Sequence, residues 1–117
     1  MSIEFLGKAI WPRLQQVAEE CEKPADVAVA YFGQGASKLL PLKPGSRLVV
    51  DASEHAVKSG QTCPQELQRL LRKGVRIYSV PNLHAKVYVV GNRVFIGSAN
   101  ASRHSQQSLI ESCLVTS

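Results

Sequence analysis

The sequence predicts an α/β fold, an α/β sandwich in which a mixed sheet is flanked by helices, formed as a single domain over residues 1–117. Three observations lead there. Segments with helical spacing of apolar residues alternate with short runs rich in β-branched and small apolar residues. The earlier runs are separated by helix-length segments, as parallel strands require, whereas two later runs are joined by a tight Gly-Asn turn, as antiparallel strands allow. A chain of 117 residues that is 44% hydrophobic has enough apolar material for one core.

Taken in order, Leu6, Ile10, Leu14, Val17, Ala18 and Cys21 recur at intervals of three or four. Pro12 belongs in the first turn of such a helix, so the helix is expected to start there and to stop at Lys23-Pro24. Asp26 to Phe32 is a nearly continuous apolar run and reads as a strand buried on both faces. Gly33-Gln34-Gly35 breaks it, and Ala36 to Leu40 has room for a turn or two of helix before Pro41 and Pro44. Arg47 to Asp51 reads as a second buried strand.

His55 to Thr62 is polar and reads as a loop with at most one helical turn. Pro64 opens a helix capped by Thr62 or Cys63, with Leu67, Leu70 and Leu71 on one face and Gly74 as its stop. Val75 to Val80 is a third strand, ended by Pro81-Asn82. Ala85–Val90 and Val94–Gly97 form a hairpin about Gly91-Asn92. Ser102 to Gln107 reads as loop or short helix. Leu109 to Thr116 resumes a strand-like run in which the chain stops, as a piece cut from a longer chain would. There is no internal repeat, low-complexity tract or linker.

Composition excludes several classes. No apolar run approaches the ~18 residues of a membrane span, and Met1-Ser2-Ile3-Glu4 has no basic stretch leading into an apolar one, so no signal peptide is expected. Cys21, Cys63 and Cys113 are odd in number and irregularly spaced, which argues against a disulfide framework or a zinc site and for a reducing, cytoplasmic compartment. The net charge is +5 and the pI is near 9.4. Residues 1–54 hold six basic and seven acidic side chains, while residues 55–117 hold eight and two. The second half, at +6, favours an anionic partner, either nucleic acid or an anionic lipid surface. A basic face that only aids solubility is the plainer alternative.

The basic half carries His84-Ala85-Lys86-Val87-Tyr88-Val89-Val90-Gly91-Asn92-Arg93-Val94-Phe95-Ile96-Gly97-Ser98-Ala99-Asn100. Residues i and i+2 of a strand share a face, so His84 pairs with Lys86, and Ser98 with Asn100. An imidazole, an ammonium, a hydroxyl and a carboxamide on neighbouring strands form a set that can hold and attack a tetrahedral phosphate. The run resembles the HKD motif of the phospholipase D superfamily, H-x-K-x4-D-x6-G-S-x-N, in His84, Lys86, Gly97, Ser98 and Asn100. The order of elements around it is similar to that of the small single-motif bacterial nucleases of that superfamily. The resemblance implies a metal-independent phosphodiesterase that needs no cofactor, with His84 and Lys86 catalytic and Ser98 and Asn100 contacting phosphate. It also implies that Glu111 is the acidic residue that orients the histidine ring.

Two departures stand out. Gly91 replaces the motif aspartate, and one residue fewer separates it from Gly97. A two-residue loop Gly91-Asn92 would put Ser98 opposite Ala85, on the wrong face, whereas a three-residue loop would put Lys86 opposite Ser98. An odd-length loop or a bulge is therefore expected. In-line cleavage needs a nucleophile on one side of phosphorus and a proton donor on the other, and one imidazole cannot be both. Neither His55 nor His104 is followed by Lys at i+2, so a symmetric homodimer that pairs two His84 residues is expected.

Other residues support blander readings. His55 and His104 are expected at the surface, and Lys58, Ser59, Gln61 and Thr62 in a solvated loop that could also touch a nucleic-acid backbone. Cys63 is read as a structural cap. The favoured substrate is DNA or RNA. The rival readings are a phospholipase or phosphatidyltransferase with the same residues, and a non-catalytic nucleic-acid-binding module of the same fold.

Overall fold

The structure, a computed structural model, describes residues 2–102 and 113–117. The elements are β1 (Ile3–Leu6), α1 (Ile10–Glu20), β2 (Asp26–Val29), α2 (Ala36–Leu39), β3 (Arg47–Val50), α3 (Glu54–Lys58), α4 (Pro64–Arg72), β4 (Arg76–Ser79), β5 (Lys86–Val90), β6 (Arg93–Gly97) and β7 (Cys113–Thr116). They build one seven-stranded sheet in the order β1-β7-β6-β5-β2-β3-β4. As expected, β2, β3 and β4 are parallel, and β5 and β6 form an antiparallel hairpin.

The strand order accounts for where the helices go. β1 is antiparallel to β7, and the alternation continues through β6 and β5 to β2, so β1 and β2 run the same way. The connections β1–α1–β2, β2–α2–β3 and β3–α3/α4–β4 therefore all join parallel strands and all move across the sheet in one direction. Right-handed crossovers that move one way stack their helices on one face. Every buried strand residue lies on that face: Val27, Val29, Leu48, Val50, Tyr88, Val90, Phe95, Cys113 and Val115. Trp11 of α1 meets Tyr88 edge-on, with centroids 5.7 Å apart and planes at 82°. Leu14, Leu39 and Leu70 of α1, α2 and α4 complete the same core.

The opposite face corrects the expectation that β2 and β3 are buried on both sides. The register aligns Phe5, Leu114, Ile96, Val87, Ala28, Val49 and Tyr78 in one apolar row across all seven strands. None of them is buried, and Phe5 is 71% exposed. Among the described residues no helix covers this row.

Smaller differences have local causes. The helix opens at Ile10, not Pro12, because Ala9 takes a left-handed backbone and turns the chain in; Pro12 still lies in the first turn, where its missing N–H has no partner to lose. β1, absent from the elements expected, is a four-residue strand that among the described residues pairs only with β7. The helical turn allowed at 55–62 is α3, which opens one residue earlier at Glu54 because the Ser53 hydroxyl N-caps it by accepting from Ala56 N. Cys63 is the N-cap of α4, but its thiol donates to the Gln65 Oε1 at 3.2 Å and caps no backbone N–H, while the Thr62 hydroxyl donates to the Asp51 carbonyl at 2.7 Å. No helix among the described residues is long and apolar enough to cross a membrane.

Candidate active site

Parallel strands gather their carboxyl ends at one edge of a sheet, and polar groups placed there converge outside it. At this edge β2, β3 and β6 end and β5 begins, so Lys86, His84 and the residues after Gly97 lie at the same edge as the ends of β2 and β3. Lys86 pairs with Val29, and the Ala85 carbonyl accepts from Ala30 N at 2.8 Å. His84 is exposed and Lys86 half-buried.

The hairpin corrects the expected loop. Val90 pairs with Arg93, so the turn is the two-residue Gly91-Asn92, and Gly91 takes the positive φ of 61° that such a turn demands. Continued as a ladder, this register would send Ser98 to the wrong face. The ladder does not continue: β6 ends at Gly97 and the chain bends at the exposed Ser98. The next segment shifts by one strand, from beside β5 to beside β2. The Asn100 Oδ1 accepts from Tyr31 N at 3.4 Å, Ala101 bridges Phe32 in parallel, and Gly33 N donates to the Ala101 carbonyl at 2.8 Å. Along the end of β2 the neighbours are thus Lys86, Ala85, Asn100 and Ala101 in turn. The shift brings Asn100 next to the start of β5 without the odd-length loop.

Two groups missed in the sequence hold this arrangement. The Tyr88 hydroxyl donates to the Ala99 carbonyl at 2.6 Å from within the core. The Asp51 carboxylate, buried at the end of β3, accepts from Ser53 N and Asn82 N, each at 3.0 Å. Asn82, two residues before His84, has a left-handed backbone with φ 63°. Hydrogen bonds from Ser53 hold the Asp51 carboxyl below its ordinary value against the opposing effect of burial, and Asn82 N–H and the nearby His55 add to the lowering. The signal for Asp51 was available, since an acidic residue directly after a parallel strand sits at the edge where sites form.

Glu111 and His104 lie outside the described residues. His55 is exposed on α3, as expected. Among the described residues no three His, Cys, Asp or Glu side chains converge to hold a metal ion. A concavity of about 800 Å³ lined by Glu20, Cys21, Lys23, Asp26, Gly91 and Asn92 opens at the other end of the strands. Glu20, Glu22 and Asp26 make it unsuited to a phosphate.

A sheet edge that presents His-x-Lys at the start of one strand and Ser-x-Asn beyond the end of the next defines the phospholipase D-like class. The family model described as the PLD-like domain of cardiolipin synthase matches residues 16–117, and the chain belongs to this family. Its fold is similar to that of Nuc from Salmonella typhimurium, a phospholipase D family member, with a TM-score of 0.73 at 17% identity over 97% of this chain and 81% of that one. NucT from Helicobacter pylori is similar with a TM-score of 0.73 at 14% identity over 97% and 84% of the two chains. Yeast tyrosyl-DNA phosphodiesterase gives 0.52 at 13% identity over 99% of this chain and 32% of its own. No curated protein matches the sequence.

Proposed function

We propose that the protein is a phosphodiesterase, a nuclease that cleaves DNA or RNA without a metal ion at an active site shared by two copies of the chain. The observation that carries this reading is the one-strand shift after Gly97, which sets Asn100 just past the end of β2, at the edge where His84 leads into Lys86 and β5. The +6 charge of residues 55–117 suits a polyanion. The names of the similar structures, which include a tyrosyl-DNA phosphodiesterase, agree with it.

In the proposed reaction an imidazole nitrogen of His84 attacks phosphorus in line. The P–O bond to the leaving sugar oxygen breaks as His84 of the second copy donates its proton to that oxygen. The resulting phosphohistidine is then cleaved by water, whose proton returns to the second imidazole. Lys86, Ser98 and Asn100 neutralise and hydrogen-bond the non-bridging oxygens as charge builds on them. Glu111 orients a histidine ring.

The deciding experiment is cleavage of single- and double-stranded DNA and of RNA in excess EDTA, with wild type beside His84→Ala. Wild type should cut at least one substrate, and the variant should lose activity by about a thousandfold or more. Activity that disappears with EDTA and survives the substitution refutes the proposal. A strictly monomeric species with full activity refutes the shared site. Phosphatidyl transfer is the second reading, favoured by the description of the matching family. It predicts turnover of anionic phospholipid vesicles that excess DNA does not inhibit.

A further inference from the structure

Lys86 and Tyr88 lie two apart on β5 and so project to the same face. Tyr88 is 2% exposed, packed edge-on against Trp11 and paired across the hairpin with the fully buried Phe95. This packing leaves the ring little freedom. Its hydroxyl reaches the Ala99 carbonyl at 2.6 Å. Ala99 separates Ser98 from Asn100, and it is itself 3% exposed, so the bond is made out of water. The two-residue hairpin would otherwise carry these residues on along β5, with Ser98 facing away from Lys86.

Resting on the phosphodiesterase reading, we propose that Tyr88 is a positioning residue: its hydroxyl clamps the Ala99 carbonyl and so sets where Ser98 and Asn100 stand relative to Lys86 and His84. The strand that carries the cation thereby fixes the segment that carries the two neutral hydrogen-bonding groups. The plainer role for a buried tyrosine is that its hydroxyl merely finds a partner in the core. The two roles differ in what they predict. A core partner affects stability alone, while a clamp affects how tightly an oxyanion is held and how fast the bound phosphodiester reacts.

The test uses the full chain with Tyr88→Phe, which removes one oxygen and keeps the ring. Val75→Ala serves as the comparison, because Val75 is 3% exposed and precedes β4 at the opposite end of the sheet. Three quantities are read: the thermal midpoint, kcat and KM for bis(p-nitrophenyl) phosphate in EDTA, and tungstate affinity by calorimetry. Tyr88→Phe should lower kcat by about 10- to 100-fold, as small misplacements of phosphate-binding groups do. It should weaken tungstate binding by about fivefold or more and change KM by less than about threefold. Val75→Ala should lower the midpoint while holding kcat and tungstate affinity within about twofold. Tyr88→Phe values within about twofold of wild type overturn the clamp, as does an equal loss of activity in Val75→Ala. If wild type binds tungstate but hydrolyses nothing, the phosphodiesterase reading fails and the tungstate comparison still decides the clamp. If wild type neither binds tungstate nor hydrolyses the diester, both fail.

Discussion

Phe95 and Ile96 are neighbours on β6 and face opposite ways, which makes them a direct test of a sheet covered on one side. Phe95 is fully buried and Ile96 is 46% exposed. Truncating a fully buried phenylalanine to alanine costs about 3–5 kcal/mol, from lost transfer energy plus the cavity left behind. Ile96→Ala removes three carbons worth about 2.4 kcal/mol at full burial, and with near half exposure the loss is about 1.3 kcal/mol without a cavity term. For a domain of this size each kcal/mol moves the thermal midpoint by roughly 4 °C. Phe95→Ala should therefore lower it by about 12–20 °C and Ile96→Ala by about 5 °C. Denaturant melts with wild-type slope should reproduce the difference in free energy. Comparable losses at both positions would refute the one-sided sheet, since they require Ile96 to be covered as Phe95 is.

Three other expectations follow from particular contacts. Glu66 of α4 is 3% exposed; burial pushes its carboxyl up, but the Ser37 N–H and hydroxyl and the Arg69 guanidinium outweigh this and hold it below the ordinary value. A lowered folded pKa means stability that is present above the unfolded value of ~4.3 and lost as pH falls through the folded one; Glu66→Gln should thus be less stable by about 1–3 kcal/mol at pH 7, and thermal melts should show the gap closing in acid. Asp51→Asn leaves one of the Ser53 and Asn82 N–H groups without its acceptor, since an amide offers one carbonyl oxygen; kcat should fall with the loosened approach to His84, and the midpoints of variant and wild type should converge as pH drops below the carboxylate range, whereas a constant offset would count against it. At Gly33 a Cβ would stand 2.8 Å from the Ser102 Cβ and 3.3 Å from the Gln61 carbonyl, so Gly33→Ala should cost about 1–3 kcal/mol in a denaturant melt and displace the segment that carries Asn100.

Much of the fold was legible because its signals are local. The apolar run Leu48-Val49-Val50, with two β-branched residues, Pro64 at the first turn of α4 and Gly74 after it each announce an element without reference to the rest of the chain. What stayed hidden depends on distant partners. Ile3–Leu6 is a strand because β7, more than a hundred residues away, offers it an edge. Burial of β2 and β3 was misread for a similar reason. Val27-Ala28-Val29 is apolar at every position, and only the shared direction of three crossovers decides that Ala28 faces away from the helices while Val27 and Val29 face them.

The site divides along the same line. His84, Lys86, Ser98 and Asn100 are recognisable from residue type and spacing, but their parity follows from spacing only if β6 runs as a straight ladder through Asn100. Under that assumption the missing residue before Gly97 had to be restored by a longer loop. The chain resolves parity where the ladder ends, by bending at Ser98 and docking Asn100 and Ala101 beside the residues that follow β2, where a bond from Tyr31 N to the Asn100 side-chain Oδ1 and one from Gly33 N to the Ala101 carbonyl take the place of those to β5. Parity therefore binds residues only as far as strand pairing extends, and Gly97 is the last paired residue of β6. The shorter spacing and the glycine in place of aspartate alter the turn at the far end of the hairpin, five residues from Lys86, while contacts made by β2 and Tyr88 govern the end that holds the site. Gly91→Asp should accordingly change the turn, where Gly91 has a positive φ, and leave phosphodiester cleavage within about twofold of wild type; a large gain in kcat would mean that the hairpin turn, not the shift toward the end of β2, sets the site.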